Sequence, residues 1–146
     1  MRSRALTLLG FGVGLALTTV AVVPVPVAAH HSFAAEFDAA QPITIRGKVT
    51  KISWTNPHVW VYLNVADEKT GKVENWGFEM GAPQQVRARG WDRDTLKTGD
   101  ELIVEGSRAR DGSSRMNARN VTWAKTGVKL GAASSEGNAA TGAPLP

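Results

Sequence analysis

The chain has 146 residues, no cysteine, five tryptophans and a formal charge of +4. The missing cysteine excludes disulfides, thiolate metal centres and thiol chemistry. The small, mixed charge is not the basic footprint of a nucleic-acid binder.

Arg2 and Arg4 open a short positive region, followed by an apolar run from Ala5 to Val23. Pro24 and Pro26 break any helix there, and Val27-Ala28-Ala29 offers the small residues that a signal peptidase reads. Residues 1–29 are therefore expected to be a signal peptide, cut after Ala29. An uncleaved anchor is the competing reading, since such a run could nearly span a bilayer. Cleavage removes two arginines, lowers the charge to +2 and leaves a chain with no stable membrane insertion. The expected compartment is the periplasm or the medium outside the cell.

From His30 onward the hydrophobic period is two. Ile43, Ile45, Gly47 and Val49 alternate with Thr44, Arg46, Lys48 and Thr50, the pattern of a half-buried strand. Trp54-Thr55-Asn56-Pro57 interrupts it as a loop. Val59, Val61, Leu63 and Val65 then alternate with Trp60, Tyr62 and Asn64, and Asp67 to Lys72 makes a hairpin turn. Trp76, Phe78 and Met80 mark a third strand. Pro83 to Arg89 reads as one short helix, with Pro83 in its first turn and Gly90 at its end. Glu101 to Ser107 is the fourth strand, Asp111 to Ser114 a turn, and Arg115 to Ala124 the fifth strand. Residues 126–146 are rich in Gly, Ala, Ser and Pro and are expected to be a disordered tail.

The expected fold is all-β with one short helix: a five-stranded OB-like β-barrel over residues 30–125, the helix lying between strands 3 and 4. An SH3-like or other small barrel is the alternative, because element order alone does not fix closure. OB barrels bind many kinds of ligand, so the fold names no function.

The histidines are the sharpest chemical signal. There are three, His30, His31 and His58, and cleavage after Ala29 would make His30 the first mature residue. An α-amine has a reference pKa of about 7.7–8.0, low enough to ligate a metal near neutral pH. The amine and imidazole of His30 can chelate one ion, and His58 would complete a three-nitrogen set of the kind Cu(II) favours. His31 could replace His58 or bind locally, and Glu36 or Asp38 could supply an axial oxygen or a supporting acceptor. Zinc fits less well without cysteine or adjacent carboxylates. Against this stand two plainer readings: a histidine-bearing terminus binds copper loosely in many proteins, and His58 could simply hold its turn.

The runs His30-His31-Ser32-Phe33, Trp54-Thr55-Asn56-Pro57-His58, Trp76-Gly77-Phe78-Glu79, Gly99-Asp100, Val104-Glu105-Gly106 and Asp111-Gly112 resemble a bacterial family of small exported domains of unknown function. The resemblance covers roughly residues 30–130. It implies a secreted or periplasmic β-barrel and no activity.

The aromatics carry the alternative function. Trp60 and Tyr62 share one face of the second strand, opposite its valine stripe. With Trp54 and Asn56 nearby they could bind a small ligand or an envelope protein. Burial under the helix or tail is the competing expectation for those rings. Trp76, Phe78, Trp91 and Trp123 are expected in the core. Arg87, Arg89, Arg93, Arg108, Arg110, Arg115 and Arg119 are interleaved with acids and read as ordinary surface. No serine elbow, phosphate loop or dinucleotide fingerprint is present, and nothing near Ser32 completes a triad. An enzyme is therefore not expected; a copper-dependent oxidase is the one catalytic option left. The reading is a binding domain that could hold Cu(II), its cofactor otherwise open, with the aromatic face as the alternative.

Overall fold

Eighteen consecutive residues, Phe37–Trp54, form strand β1, and its two halves organise the rest of the fold. The computed structural model describes residues 33–133. The first half of β1 pairs antiparallel with β4 (Glu101–Ala109), and the second half pairs antiparallel with β2 (Val59–Ala66). The exchange of partners falls at Lys48, which is paired with both Asn64 and Glu101. Gly47 makes the exchange possible: a Cβ there would lie 2.6 Å from the carbonyl oxygen of Asn64. A register shift between Val49 and Lys51 bends the strand just beyond.

β3 (Val73–Glu79) returns beside β2, and β5 (Arg115–Trp123) beside β4. β3 also pairs with β5, in parallel, through Gly77–Arg115, Phe78–Met116 and Glu79–Asn117. Each of β1 to β5 thus has strand neighbours on both sides, within one six-stranded sheet. The described residues are mostly β, with two short helices among them: α1 (Phe33–Glu36) ahead of β1, and α2 (Pro83–Arg87) between β3 and β4.

The alternation read from the sequence sorts the side chains as physics requires. Val59, Val61 and Leu63 of β2, Trp76 and Phe78 of β3 with Met80 just after it, and Leu102 and Val104 of β4 belong to one core with Val86 of α2 and Trp91. Burying each large side chain is worth roughly 1.5–3 kcal/mol relative to exposure. Pro83 sits in the first turn of α2, and the Gln85 side-chain oxygen accepts from the Ala82 backbone N–H at 3.0 Å, tying off the helix start. Aspartates hold the turns. Asp67 Oδ1 accepts from the backbone of Lys69 and Thr70, and Asp111 Oδ1 from the backbone and hydroxyl of Ser113.

Three expectations are corrected. The sheet has six strands, not five, because Lys129–Gly131 forms β6 on β5 inside the stretch expected to be tail. Composition hid this strand, whose anchorage is mostly backbone: Trp91 Nε1 donates to the Gly131 carbonyl at 2.7 Å, and Gly81 N–H to that of Ala132 at 2.9 Å. Arg89 also donates to the carbonyl of Ala133, and Ala132 and Ala133 are buried. A helix, α1, precedes β1 where none was expected. β1 itself begins at Phe37, six residues ahead of the alternating run, because Phe37 and Ala109 face each other across a ladder that sequence alternation does not show.

Candidate functional site

One face of the β2–β3 hairpin is core, so the other carries Trp60 and Tyr62 from β2 and Gly77 and Glu79 from β3. Trp60 and Tyr62 stack with ring centroids 6.4 Å apart, and a Cβ on Gly77 would touch both rings, at 3.5 and 3.3 Å. Trp60 is the register partner of Glu79, Glu79 of Asn117, and Asn117 of Ser107. Among the described residues the buried polar side chains are Glu79, Asn117 and Ser107, at 7%, 3% and 4% exposure. They therefore form a single row across β3, β5 and β4, on the face that the strand pattern assigns to solvent.

His58 closes one end of that row. It follows the cis Asn56–Pro57 peptide and directly precedes β2. Its Nδ1 lies 2.8 Å from Glu79 Oε1, and its side chain is 22% exposed. An ionised carboxylate only accepts, so Nδ1 carries the hydrogen, and the ring is held by that bond. Asn117 Nδ2 donates to the same Glu79 oxygen at 3.4 Å. The pairing fixes both the orientation of the imidazole and the nitrogen that faces the carboxylate.

An apolar cover lies over the same face. Phe33, Phe37 and Ala109 are buried together, with Ala39 and Trp60 packed against them. The Phe33 and Phe37 rings lie 5.8 Å apart. Ala109 is two residues along β4 from Ser107 and shares its face. The described chain therefore starts, at Phe33, in a buried cluster on which Trp60 packs, and the strand partner of Trp60 is Glu79. Arg110 secures this start by donating from Nε to the carbonyls of Ala34 and Phe37, at 2.9 and 3.1 Å.

A model of a family of unknown function, DUF6152, matches residues 17–120, more than half of the chain. The chain belongs to the DUF6152 family. No curated protein and no solved structure matches it. Among the described residues of this DUF6152 chain, no helix is long and apolar enough to cross a membrane. The uncharacterised family that the sequence runs resemble is thus matched by membership of a family without assigned function.

Within this DUF6152 fold the expected site residues have different fates. His30 and His31 lie outside the described residues. His58 is placed against Glu79, a partner that sequence reasoning missed. Glu79 occupies an outward position of an alternating strand, and nothing local marks it as buried, yet it is buried where β3 pairs with β5 at Asn117. Asn117 was missed for the same reason. Asp38, expected as a possible supporting acceptor, is engaged by its own turn: its carboxylate accepts from Ala40 N–H and Gln41 Nε2, each at 3.1 Å. The Ala40 N–H, then Gln41, hold its pKa below the usual range.

Trp54 closes β1 with its ring packed on the core and Arg87 over it, 5.9 Å from the centroid. Asn56 is exposed. Trp60 and Tyr62 are half-buried, Trp60 against the Phe33 cover and Tyr62 under Lys51 at 5.5 Å. Arg108 lies over Trp76, and Arg115 pairs with Asp111, so these arginines serve separate local contacts. Among the described residues no group of three His, Cys, Asp or Glu could hold a metal ion.

Proposed function

We propose that this chain is an exported Cu(II)-binding domain on an OB-like barrel. In this reading residues 1–29 are removed, and the ion is held by the amine and imidazole of His30 together with His58, with His31 beside them. The observation that carries the reading is the Glu79–His58 pair, 2.8 Å apart at the edge of a buried polar row. A carboxylate on one imidazole nitrogen is the usual support for a histidine that ligates through the other. Here Glu79 takes the supporting role and His58 would coordinate through Nε2. The start of the described chain lends further support: Phe33 is buried in the cluster on which Trp60 packs, and His30 lies three residues before it in sequence. Three residues reach at most about 10 Å, so a site made with His30 would lie within that distance of Phe33. The β3–β5 pairing supports closure of the sheet as an OB-like barrel, with β6 as an addition to it.

The alternative, a ligand- or protein-binding face on Trp60 and Tyr62, draws less support from rings that are already half-covered. The deciding experiment is a Cu(II) titration against a chelator of known affinity, on protein processed by its host. A one-to-one site that weakens ten-fold or more in His58→Ala, about 1.4 kcal/mol, sustains the copper reading. Equal, weak binding by both proteins refutes it and returns attention to the aromatic face.

A further inference from the structure

Asn117 of β5 is seated from two sides. Its main chain passes Gly106 of β4 so closely that a Cβ on that glycine would collide with the Asn117 carbonyl oxygen. The β4–β5 register shifts at the same point, between Glu105 and Gly106, and sets Ser107 opposite Asn117. Toward β3, Asn117 is the parallel partner of Glu79, beside the Gly77–Arg115 and Phe78–Met116 pairs of that ladder. Strand geometry therefore fixes the place of its side chain from both flanks. From there Nδ2 donates to Glu79 Oε1 at 3.4 Å, and the same oxygen lies 2.8 Å from His58 Nδ1.

The two donors are not equivalent. His58 stands just outside β2, which begins at Val59, whereas Asn117 lies inside a strand with a neighbour on each side. A buried carboxylate must be met by donors, and a glutamate gives up much rotamer freedom when it is ordered. The ladder fixes the Glu79 backbone; the direction of its carboxylate is fixed by what donates to it. We propose that Asn117 is a positioning residue for His58: it holds Glu79 Oε1 where that oxygen takes the Nδ1 hydrogen, which makes Nε2, on the far side of the ring, the acceptor nitrogen. The proposal rests on the copper reading for what Nε2 would bind, and on His58, Glu79 and Asn117 alone for its geometry.

The test is the tautomer of His58 in the metal-free protein. It is read by nitrogen NMR above the imidazole titration range, with the two ring resonances assigned by their loss in His58→Ala. In the wild type the Nδ1–H form should dominate and the two resonances should be widely split. Asn117→Ala should lower the ratio of Nδ1–H to Nε2–H roughly five-fold, the equivalent of one ordinary hydrogen bond, and draw the resonances together. Ser107→Ala, beyond Asn117 in the row, should leave the ratio at its wild-type value. An asparagine that only supports the fold would lower the unfolding midpoint and leave the ratio unchanged, which overturns the proposal. A wild type in which Nε2–H dominates overturns it as well. Should Asn117→Ala fail to fold, Asn117→Ser, whose hydroxyl ends one bond short of the amide nitrogen, decides by the same outcomes. Cu(II) titration of the same proteins keeps the two readings apart. If His58→Ala binds Cu(II) as the wild type does, the copper reading fails, and a shifted ratio in Asn117→Ala still sustains the positioning role. An unchanged ratio with His58→Ala impaired overturns that role and leaves the copper reading standing.

Discussion

Glu79 shows how one residue can be chemically decisive and invisible in a linear reading. Its neighbours Phe78 and Met80 were legible as core from their alternation, and by the same rule Glu79 belonged in water. It is buried where β5 pairs with β3, beside Trp60, its own partner across the hairpin, on which the Phe33–Phe37 cluster packs. His58 was legible, since it is one of three histidines, but its partner was not. If Glu79 orients His58, Glu79→Gln keeps an acceptor for Nδ1–H yet removes the charge. Cu(II) affinity, measured by competition, should then fall about ten-fold or more while the apo fold persists. A second residue-scale prediction concerns Asp111. The Ser113 hydroxyl first, then the Ser113 N–H and Arg115, hold its pKa at about 2, below the ordinary 3.8. Since the folded value is the lower one, its contribution to stability is present above about pH 4 and is lost as pH falls through about 2. A carboxyl-carbon NMR titration should place the midpoint near the lower value, and Ser113→Ala should move it upward.

At the scale of elements, the four alternating runs beginning at Ile43, Val59, Trp76 and Glu101 each contain a strand, because half-burial forces period two. β6 was missed because it is held by what a composition count ignores. Backbone carbonyls of β6 and its flanks, those of Gly131, Ala132 and Val128, accept from Trp91 Nε1, Gly81 N–H and Trp123 N–H. Ending the chain at Lys125 removes these bonds and the one from Ala132 N–H to the Arg119 carbonyl. At about 1 kcal/mol each, these four bonds alone account for about 4 kcal/mol, a lower bound because the β5–β6 ladder and the Arg89–Ala133 bond go too, read as a lower denaturant midpoint. The buried indole of Trp91 would also lose the partner of its only N–H. Gly106 is the corresponding constraint between β4 and β5: a Cβ there would lie 2.0 Å from the Asn117 carbonyl oxygen. Gly106→Ala must push the strands apart, at a cost of about 1–3 kcal/mol measured by thermal unfolding.

For the whole molecule, the mostly β character was readable from periodicity, whereas the closing contact joins strands that are far apart in sequence. No local pattern announces that β3 will meet β5, nor that β1 will exchange partners at Lys48, where Gly47 admits the close approach of the Asn64 carbonyl. The copper reading depends on a second global event, removal of the leader. The processed protein recovered from the envelope should have a mass that starts at His30. A mass that retains residues 1–29 would leave no terminal amine on His30 and would remove the proposed three-nitrogen set.

The β2–β3 hairpin also works as a ruler. His58 and Glu79 stand at its open end, and the Asp67–Lys72 turn stands at the other, with the eight residues of β2 between them. At about 3.3 Å per residue the two ends are roughly 25 Å apart. A paramagnetic ion beside His58 would therefore bleach amide resonances in a gradient along the hairpin. Those near Trp60 and Phe78 would vanish first, and those of Thr70 and Gly71 would survive. A single spectrum recorded with and without Cu(II) would locate the ion by which signals remain, with no residue replaced.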